Sequence, residues 1–425
     1  MNTPSTVLDA IQKKLVGKRL TYQEIFAIMD EIAHQRLGDI LTTYFAASGY
    51  SKGFSNDEIY SLTKAMIETG EKLSFKGIVA DKHSIGGVPG TRTTLIVVPI
   101  VAAAGFTIPK SSSRAITTPG GTGDDMEVLA PVTFTKREIY RIVEKTHACI
   151  VWGGSVDIAP ADDELIKVEQ PLQFESFDKI LVSIMAKKIA FGSNHIVIDI
   201  PYGEHVKVHK FNDAEEVKRK FEYLAKKFDV KLHVYLHKME QPAGRGVGPL
   251  LETRESLKVL EQTEDRPVDL EKHAIILAGI LLDMCLKDGP KTLKDTVRKN
   301  FGSGQAWARH LLTSGKAQEK MNEIIKAQGG KSDIISTDLR PGKFHYEVLA
   351  HRSGKVKKIH IKNATIVAKI LGAPVQKKSG LYLNKKINDT VISGETLMTL
   401  YSEHEYNLKE AQESLANFPI VEIVK

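Results

Sequence analysis

Residues 81–95, DKHSIGGVPGTRTTL, put a lysine, a histidine, a serine, glycines, an arginine and threonines into one short connection. These residue types bind anions. Ammonium and guanidinium groups supply charge, hydroxyls fix oxygens, and glycine lets backbone amides come close. The order of residues matches neither the nucleotide-binding G-x-x-x-x-G-K-[ST] nor the dinucleotide-binding G-x-G-x-x-G pattern. A second polar stretch, SSSRAITTPGGTGDDMEVL at 111–129, combines hydroxyls, Arg114 and the pair Gly120 and Gly121. Successive backbone amides with Ser and Thr hydroxyls can form a nest for phosphate oxygens, and a polar loop capping a helix is the alternative. In LVSIMAKKIA, Ser183 and Lys187 stand four residues apart on one helix face, where they either meet one ligand or face solvent. QPAGRGVGPLLETRE, 241–255, reads as a tight turn before a helix rather than a further phosphate site.

Elements of two textures must position these groups. Through residue 70 the apolar residues recur at helical spacing, as in TYQEIFAIMDEIAHQRL and SNDEIYSLTKAMIETG, the latter opening on a cap with acids in its first turn and stopping at Gly70. From Gly77 on, apolar β-branched runs, TTLIVVPIVAAAG, HACIVWGG, HIVIDIP and KLHVYLH, alternate with helices, as expected for a mainly parallel sheet covered by helices. The helical stretch FDKILVSIMAKKIAFGS is expected to rejoin the first helical unit. After about Pro341, alternating segments separated by Gly, Asn and Asp turns indicate strands. The expected fold class is α/β: a helical domain at 1–75 completed by about 160–190, a large α/β phosphate-binding domain at 76–159 and 191–335, and a C-terminal α+β domain at 340–425.

Composition narrows the partners. The 425 residues are 42% hydrophobic and 26% charged, ordinary for a globular chain able to bury a large core. Cys149 and Cys285 cannot build a disulfide framework or a Cys-rich zinc site, so they read as packing residues in a reducing cytoplasm. No stretch approaches the roughly 20 apolar residues of a membrane span. The formal charge of +7 is spread thinly, without a basic stripe or interleaved aromatics, which points to small anionic substrates rather than nucleic acid.

Taken in order, YSLTKAMIETG, DKHSIGGV, SSSRAITTPGGTGDDME and QPAGRGVGPLLETRE resemble the thymidine and pyrimidine nucleoside phosphorylase family over essentially the whole chain. KHSIGGVPGTRTTLIVVPIVAAAG, SRAIT and CIVWGG followed by IAPADD are most similar to its AMP phosphorylase branch. The resemblance implies a cleft between a small helical and a large α/β domain that closes on substrate, and a homodimer formed through the helical domain. Members of the branch usually carry a further N-terminal domain, so assembly through such a domain is not expected here. By position, Lys82, Ser84, Thr94, Ser112 and Thr122 fall where the family binds inorganic phosphate, and His83 where it places a histidine against the nucleoside. Nucleotide-binding positions of the branch fall on Gly87, Ser113, Arg114, Ala115, Ile116, Thr117, Thr118, Thr122, Ser183 and Lys207, and Lys187 joins them from its helix face. The branch's proton-donating aspartate aligns with Glu175, and Asp178, three residues later, is the alternative donor.

The chemistry implied is phosphorolysis of a nucleoside 5′-monophosphate, AMP and phosphate giving adenine and ribose 1,5-bisphosphate. Inorganic phosphate is a co-substrate, and no cofactor or metal is implied. Thymidine phosphorylases read the pyrimidine with an arginine, whereas Val168 stands at that position in LIKVEQP, with Lys167 beside it. Lys207, with Arg92 or Arg114, is expected to meet the substrate's own phosphate. A thymidine or other pyrimidine substrate, and a nonenzymatic nucleotide-binding protein, are the competing readings.

Overall fold

The computed structural model describes residues 4–115, 118–169 and 176–424. Four helices open the chain: α1 Ser5–Leu15, α2 Tyr22–Ala33, α3 Gly38–Lys52 and α4 Asn56–Glu68. Thr21 with Glu24, and Ser55 with Glu58, form capping boxes that start α2 and α4. Glu58 also accepts from the buried Lys14 Nζ at 2.9 Å and from the Leu20 amide at 3.1 Å, tying α1 and the following turn to α4. Two later helices, α8 Pro160–Glu169 and α9 Phe177–Ala190, return to this bundle, so Leu165, Leu181, Val182 and Met185 share a core with Met29, Ile59 and Met66.

The central sheet is parallel. Strands β1 Ala80–Ser84, β2 Ile108–Ser112, β3 Ala148–Trp152, β4 His195–Tyr202 and β5 Lys231–Lys238 lie in the order β3-β2-β1-β4-β5, with a parallel bridge between Val79 and Thr107 joining its two halves. Side-chain alternation divides the chemistry between the two faces. Ala80 and Val197 pack towards α5 Thr94–Ala103 and α12 Val268–Asp288, and this parity also carries Lys82, Ser84 and Asp199. Ile196 and Ile198 pack towards α7 Lys136–Thr146, α9 and α10 Phe211–Lys227, the parity of Asp81 and His83. One expectation is corrected. TTLIVVPIVAAAG is not a strand but α5, whose residues Thr94 to Ala102 are all buried. An apolar run without alternation cannot be assigned by period, and here burial on all sides belongs to a helix wedged into the core. Cys149 and Cys285 are both buried and unpaired.

The connection after β2 leads into the short α6 Thr122–Met126, and β6 Gly246–Val247 precedes α11 Pro249–Glu261, a turn before a helix as the sequence suggests. The C-terminal region forms antiparallel sheets from β7 Phe344–Leu349, β8 Gly354–Ile359, β9 Gly380–Leu383, β10 Thr390–Val391, β11 Thr396–Ser402 and β12 Val421–Val424. It is fastened to the α/β region because β6 pairs with β9. Lys377 meets Asp124 at 2.8 Å and Glu127 at 3.0 Å. Lys386 is buried and donates to the carbonyls of Pro242 and Gly244, and burial lowers its ammonium to about 8.

Replacing Lys386 with methionine keeps the stem and leaves two buried carbonyls without a donor, a loss of about 1–3 kcal/mol. A lower melting temperature and faster tryptic cleavage at Lys343 are expected. An unchanged melting temperature and digestion pattern would show that this contact does not hold the C-terminal region in place.

Candidate active site

The candidate site residues gather at the carboxyl ends of β1 and β2. Parallel strands leave these ends open at the rim, where loops can approach a ligand. Lys82 is 2% exposed, and its Nζ donates to Thr93 Oγ1 at 2.7 Å rather than to a carboxylate. Burial lowers this ammonium to about 8; Arg92 and Lys188 push the same way, and Asp199 and Asp81 oppose. Ser84 is half-buried two residues on, and Thr94 is buried at the first position of α5. The following loop is left-handed at Gly87, φ +84°, where a Cβ would sit 2.8 Å from Lys207 Cγ. Glycine therefore lets the Lys207 stem lie across the loop. Val88, Val206 and the C-terminal Ile361 pack together beneath it.

Behind Lys82, on the other face of β1, Asp81 is fully buried. It meets Lys188 Nζ at 2.9 Å, Lys110 Nζ at 3.6 Å and the Ser193 hydroxyl at 3.3 Å. Lys188 also donates to the Ser111 carbonyl at 3.0 Å. Burial, together with the neighbouring Lys188, holds Lys110 well below its ordinary value. His83 is likewise pushed well below the usual imidazole range, by burial first and then by Lys188, Lys110 and Lys82. It is therefore a neutral imidazole near pH 7, suited to hydrogen bonding and positioning rather than to acting as a cationic acid.

The loop after β2 departs from the expected open nest. Asp124 Oδ2 accepts from the amides of Ala115 at 2.7 Å and Gly121 at 2.9 Å, so a carboxylate of the chain itself fills two of the anion-seeking donors. Gly121 is needed there, since a Cβ would fall 2.6 Å from the Arg114 carbonyl carbon. Thr118 donates to the Gly120 carbonyl at 2.7 Å, and Ser112 to the Ser113 carbonyl at 3.1 Å. Ser113 is exposed, and Thr122 is half-buried where α6 begins.

The arginines are corrected as well. Arg114 makes two contacts to Glu127, at 2.6 and 2.7 Å, and lies over the Trp152 ring at 5.2 Å. Arg92 meets Asp125 at 2.6 Å, Glu252 at 2.9 Å and the Gly120 carbonyl at 2.8 Å. Both are committed to bracing loops, and the Lys207 stem lies against the glycine loop.

On α9, Ser183 and Lys187 share a partner within the chain instead of meeting a ligand or facing solvent. That partner is Asp162 of α8, at 2.7 Å from each, with Asp163 a further 3.0 Å contact for Lys187. Asp178 is buried, accepting from the Phe54 amide at 3.2 Å and from Lys220 Nζ at 2.7 Å. It joins helices instead of presenting a proton to a cleft. Glu175, Ile116 and Thr117 lie outside the described residues. Sequence reasoning missed Asp81, Thr93, Lys110 and Lys188. Lys110 ends an apolar stretch and Lys188 follows Lys187, but neither motif nor spacing shows that both turn inward to Asp81.

Three family models match the chain: Glycosyl transferase family, helical bundle domain, at residues 8–70; Glycosyl transferase family, a/b domain, at 76–318; and Pyrimidine nucleoside phosphorylase C-terminal domain at 355–419. An AMP phosphorylase of Methanocaldococcus jannaschii is 43% identical over 404 residues, 95% of this chain and 78% of that one. An AMP phosphorylase of Thermofilum pendens is 41% identical, covering 97% and 78% of the two chains. A putative thymidine phosphorylase of Legionella pneumophila is 40% identical, covering 96% and 76%. Among solved structures, an anthranilate phosphoribosyltransferase from Thermus thermophilus is similar with a TM-score of 0.59 at 16% identity, covering 75% of this chain and 99% of that one, a likeness of fold.

Phosphate affinity should depend on Lys82. Truncation to alanine removes a charge-assisted contact worth about 1.5–3 kcal/mol, so calorimetry should show roughly 10- to 100-fold weaker phosphate binding. Because the ammonium titrates near 8, wild-type affinity for the phosphate dianion should decline above that pH as the charge is lost. Unchanged affinity in Lys82→Ala would place the anion elsewhere.

Proposed function

The chain belongs to the glycosyl transferase family built from a helical bundle, an a/b domain and a pyrimidine nucleoside phosphorylase C-terminal domain, and from that premise we propose that it cleaves AMP with phosphate to give adenine and ribose 1,5-bisphosphate. The observation that carries this reading is the buried Lys82 ammonium, directed at a hydroxyl, with Lys207 laid across the adjoining glycine loop. One cation serves inorganic phosphate and the other the 5′-phosphate. Relatives named AMP phosphorylase, 41–43% identical over most of the chain, support the same choice.

In this mechanism Lys82, Ser84, Thr94, Ser112 and Thr122 hold phosphate beneath C1′. The C1′–N9 bond breaks, its electron pair leaves with adenine, and a phosphate oxygen forms the new bond to C1′. The transition state is oxocarbenium-like, as in glycoside cleavage. Glu175 delivers the proton to the departing base, and neutral His83 positions the nucleoside. Ser113, Ala115 and Thr118 line the nucleotide through the loop that Arg114 braces against Glu127, while Ser183 and Lys187 reach it from the helical side. Closure of the two domains aligns the reactants, and such alignment is worth up to roughly 7–11 kcal/mol in model reactions.

A pyrimidine substrate is the second reading, because putative thymidine phosphorylases match nearly as well, at 40% identity. Against it, Val168 packs on the helical core and offers no donor to a pyrimidine carbonyl. The chain acts as a homodimer in the cytoplasm. Ile40 and Tyr44, 75% and 53% exposed on α3, give the helical domain an apolar face for a second copy. Among the described residues no helix is long and apolar enough to cross a membrane.

Base release from AMP, CMP, UMP, thymidine, uridine and adenosine, measured with and without phosphate, tests the proposal. Phosphate-dependent adenine release from AMP should be fastest. Faster thymine release would favour the pyrimidine reading, and nucleotide binding without any base release the nonenzymatic one. Lys207→Ala should lower kcat/KM for AMP by at least about tenfold more than for adenosine, since only AMP carries the second dianion. Equal losses would make Lys207 structural.

For the proton donor, Glu175→Gln should reduce kcat with AMP by about 10²-fold or more with a smaller change in KM. Asp178→Asn should retain turnover and lose thermal stability, because its carboxylate bonds Phe54 and Lys220. The reverse pattern would assign the proton to Asp178.

A further inference from the structure

Beside the phosphate-binding edge, three side chains from three elements converge. They are Asp199 on β4, His237 on β5 and His273 on α12, and one ligand atom from each lies within 4.8 Å of the others. His273 Nε2 is 3.2 Å from Asp199 Oδ2 in a hydrogen bond. His237 Nε2 is 2.8 Å from Asp199 Oδ1, yet both atoms are buried and neither makes a well-aligned hydrogen bond among the described residues. Their separation suits a hydrogen bond but their alignment does not. Asp199 is only 2% exposed. A buried carboxylate oxygen and a buried imidazole nitrogen left in this way are costly, and a shared cation satisfies both lone pairs at once.

We propose that Asp199, His237 and His273 form a binding site for a first-row divalent transition metal, with Zn²⁺ as the best-fitting ion. Two imidazole nitrogens and one carboxylate oxygen are the donor set such ions prefer over Mg²⁺ or Ca²⁺. Zinc–ligand bonds of about 2.0–2.2 Å in tetrahedral geometry separate ligand atoms by a little over 3 Å, within reach of the present spacing. The rings are held ready: His237 and His273 have centroids 4.4 Å apart, and Tyr235 stacks on His237 at 5.4 Å. Three ligands leave a coordination position open.

Its place in the sheet gives the site a consequence. Asp199 pairs in register with Ser84 across β1 and β4, and its carbonyl accepts from the Ile85 amide at 3.0 Å. An ion here pins β4, β5 and α12 together next to the strand end that carries Lys82 and Ser84, and adds positive charge to that edge. The ligands stand at positions 199, 237 and 273, in no recognisable spacing, which is why no motif shows them.

The test needs no turnover. Protein stripped with chelator, in phosphate-free buffer, is titrated with Zn²⁺ against a chromophoric chelator and separately with Co²⁺ while its visible absorption is recorded. One equivalent per chain is expected, with an intense four- or five-coordinate Co²⁺ band. His237→Ala and His273→Ala should each weaken binding by at least about 100-fold, since loss of even an outer-shell partner costs 10- to 100-fold. His34→Ala, altering a histidine remote from the three, should bind normally. Long-range ¹H–¹⁵N spectra of wild-type imidazoles read the same event without any variant, and two rings should shift with one equivalent of Zn²⁺. No stoichiometric binding, or shifts confined to other histidines, would overturn the proposal and leave a metal-free Asp–His cluster.

Discussion

Positive charge buried at the carboxyl edge of the parallel sheet is the constraint on which the rest of the structure turns. Lys82, Lys110 and Lys188 are 2%, 3% and 2% exposed, and the buried carboxylates nearest them are Asp81 and Asp199. Removing an ion from water costs several kcal/mol even after relaxation, so each ammonium needs a partner or a lowered proton affinity. Asp81 serves Lys188 and Lys110 on one face of β1. On the other face Lys82 has a threonine hydroxyl and a depressed proton affinity. That imbalance suits an incoming dianion, and the start of α5 beside it adds the positive end of a helix dipole.

The same edge couples the two lobes. Adjacent lysines on α9 point about 100° apart around a helix, and here they serve different partners. Lys188 enters the sheet through Asp81, while Lys187 stays with Asp162 and Asp163 of α8 in the helical bundle. On the proposed reading, a nucleotide reaching Ser183 and Lys187 has to compete with Asp162 for both, so that its net gain in affinity is smaller than a free lysine would give. The loop after β2 follows the same logic, with Asp124 occupying the amides of Ala115 and Gly121.

Much of this was legible in the sequence. The capped helices before Gly70 and the apolar HIVIDIP strand announce the helical lobe and the parallel sheet, and the polar DKHSIGGV connection marks the candidate anion site. Period fails where burial is complete, so TLIVVPIVAA reads equally as strand or helix. Charge reads poorly when its partner is distant. Arg92 and Arg114 look available in sequence, yet Glu252, Asp125 and Glu127 hold them, and Glu252 is far along the chain. Asp81 stands beside Lys82 in sequence but points to the opposite face, and only strand geometry sends it to Lys110 and Lys188. His237 and His273 are brought to Asp199 by topology alone.

Proton uptake measures the uncompensated charge at this edge most directly. At about pH 8.5 inorganic phosphate is almost wholly dianionic, while Lys82, lowered to about 8, is partly deprotonated. Calorimetric titration of phosphate in buffers of different ionisation enthalpy should then show a fraction of a proton taken up per phosphate bound, and Lys82→Met should abolish it. Binding without proton uptake in the wild type, or uptake that survives in Lys82→Met, would contradict the assignment of Lys82 as the buried cation that receives the anion.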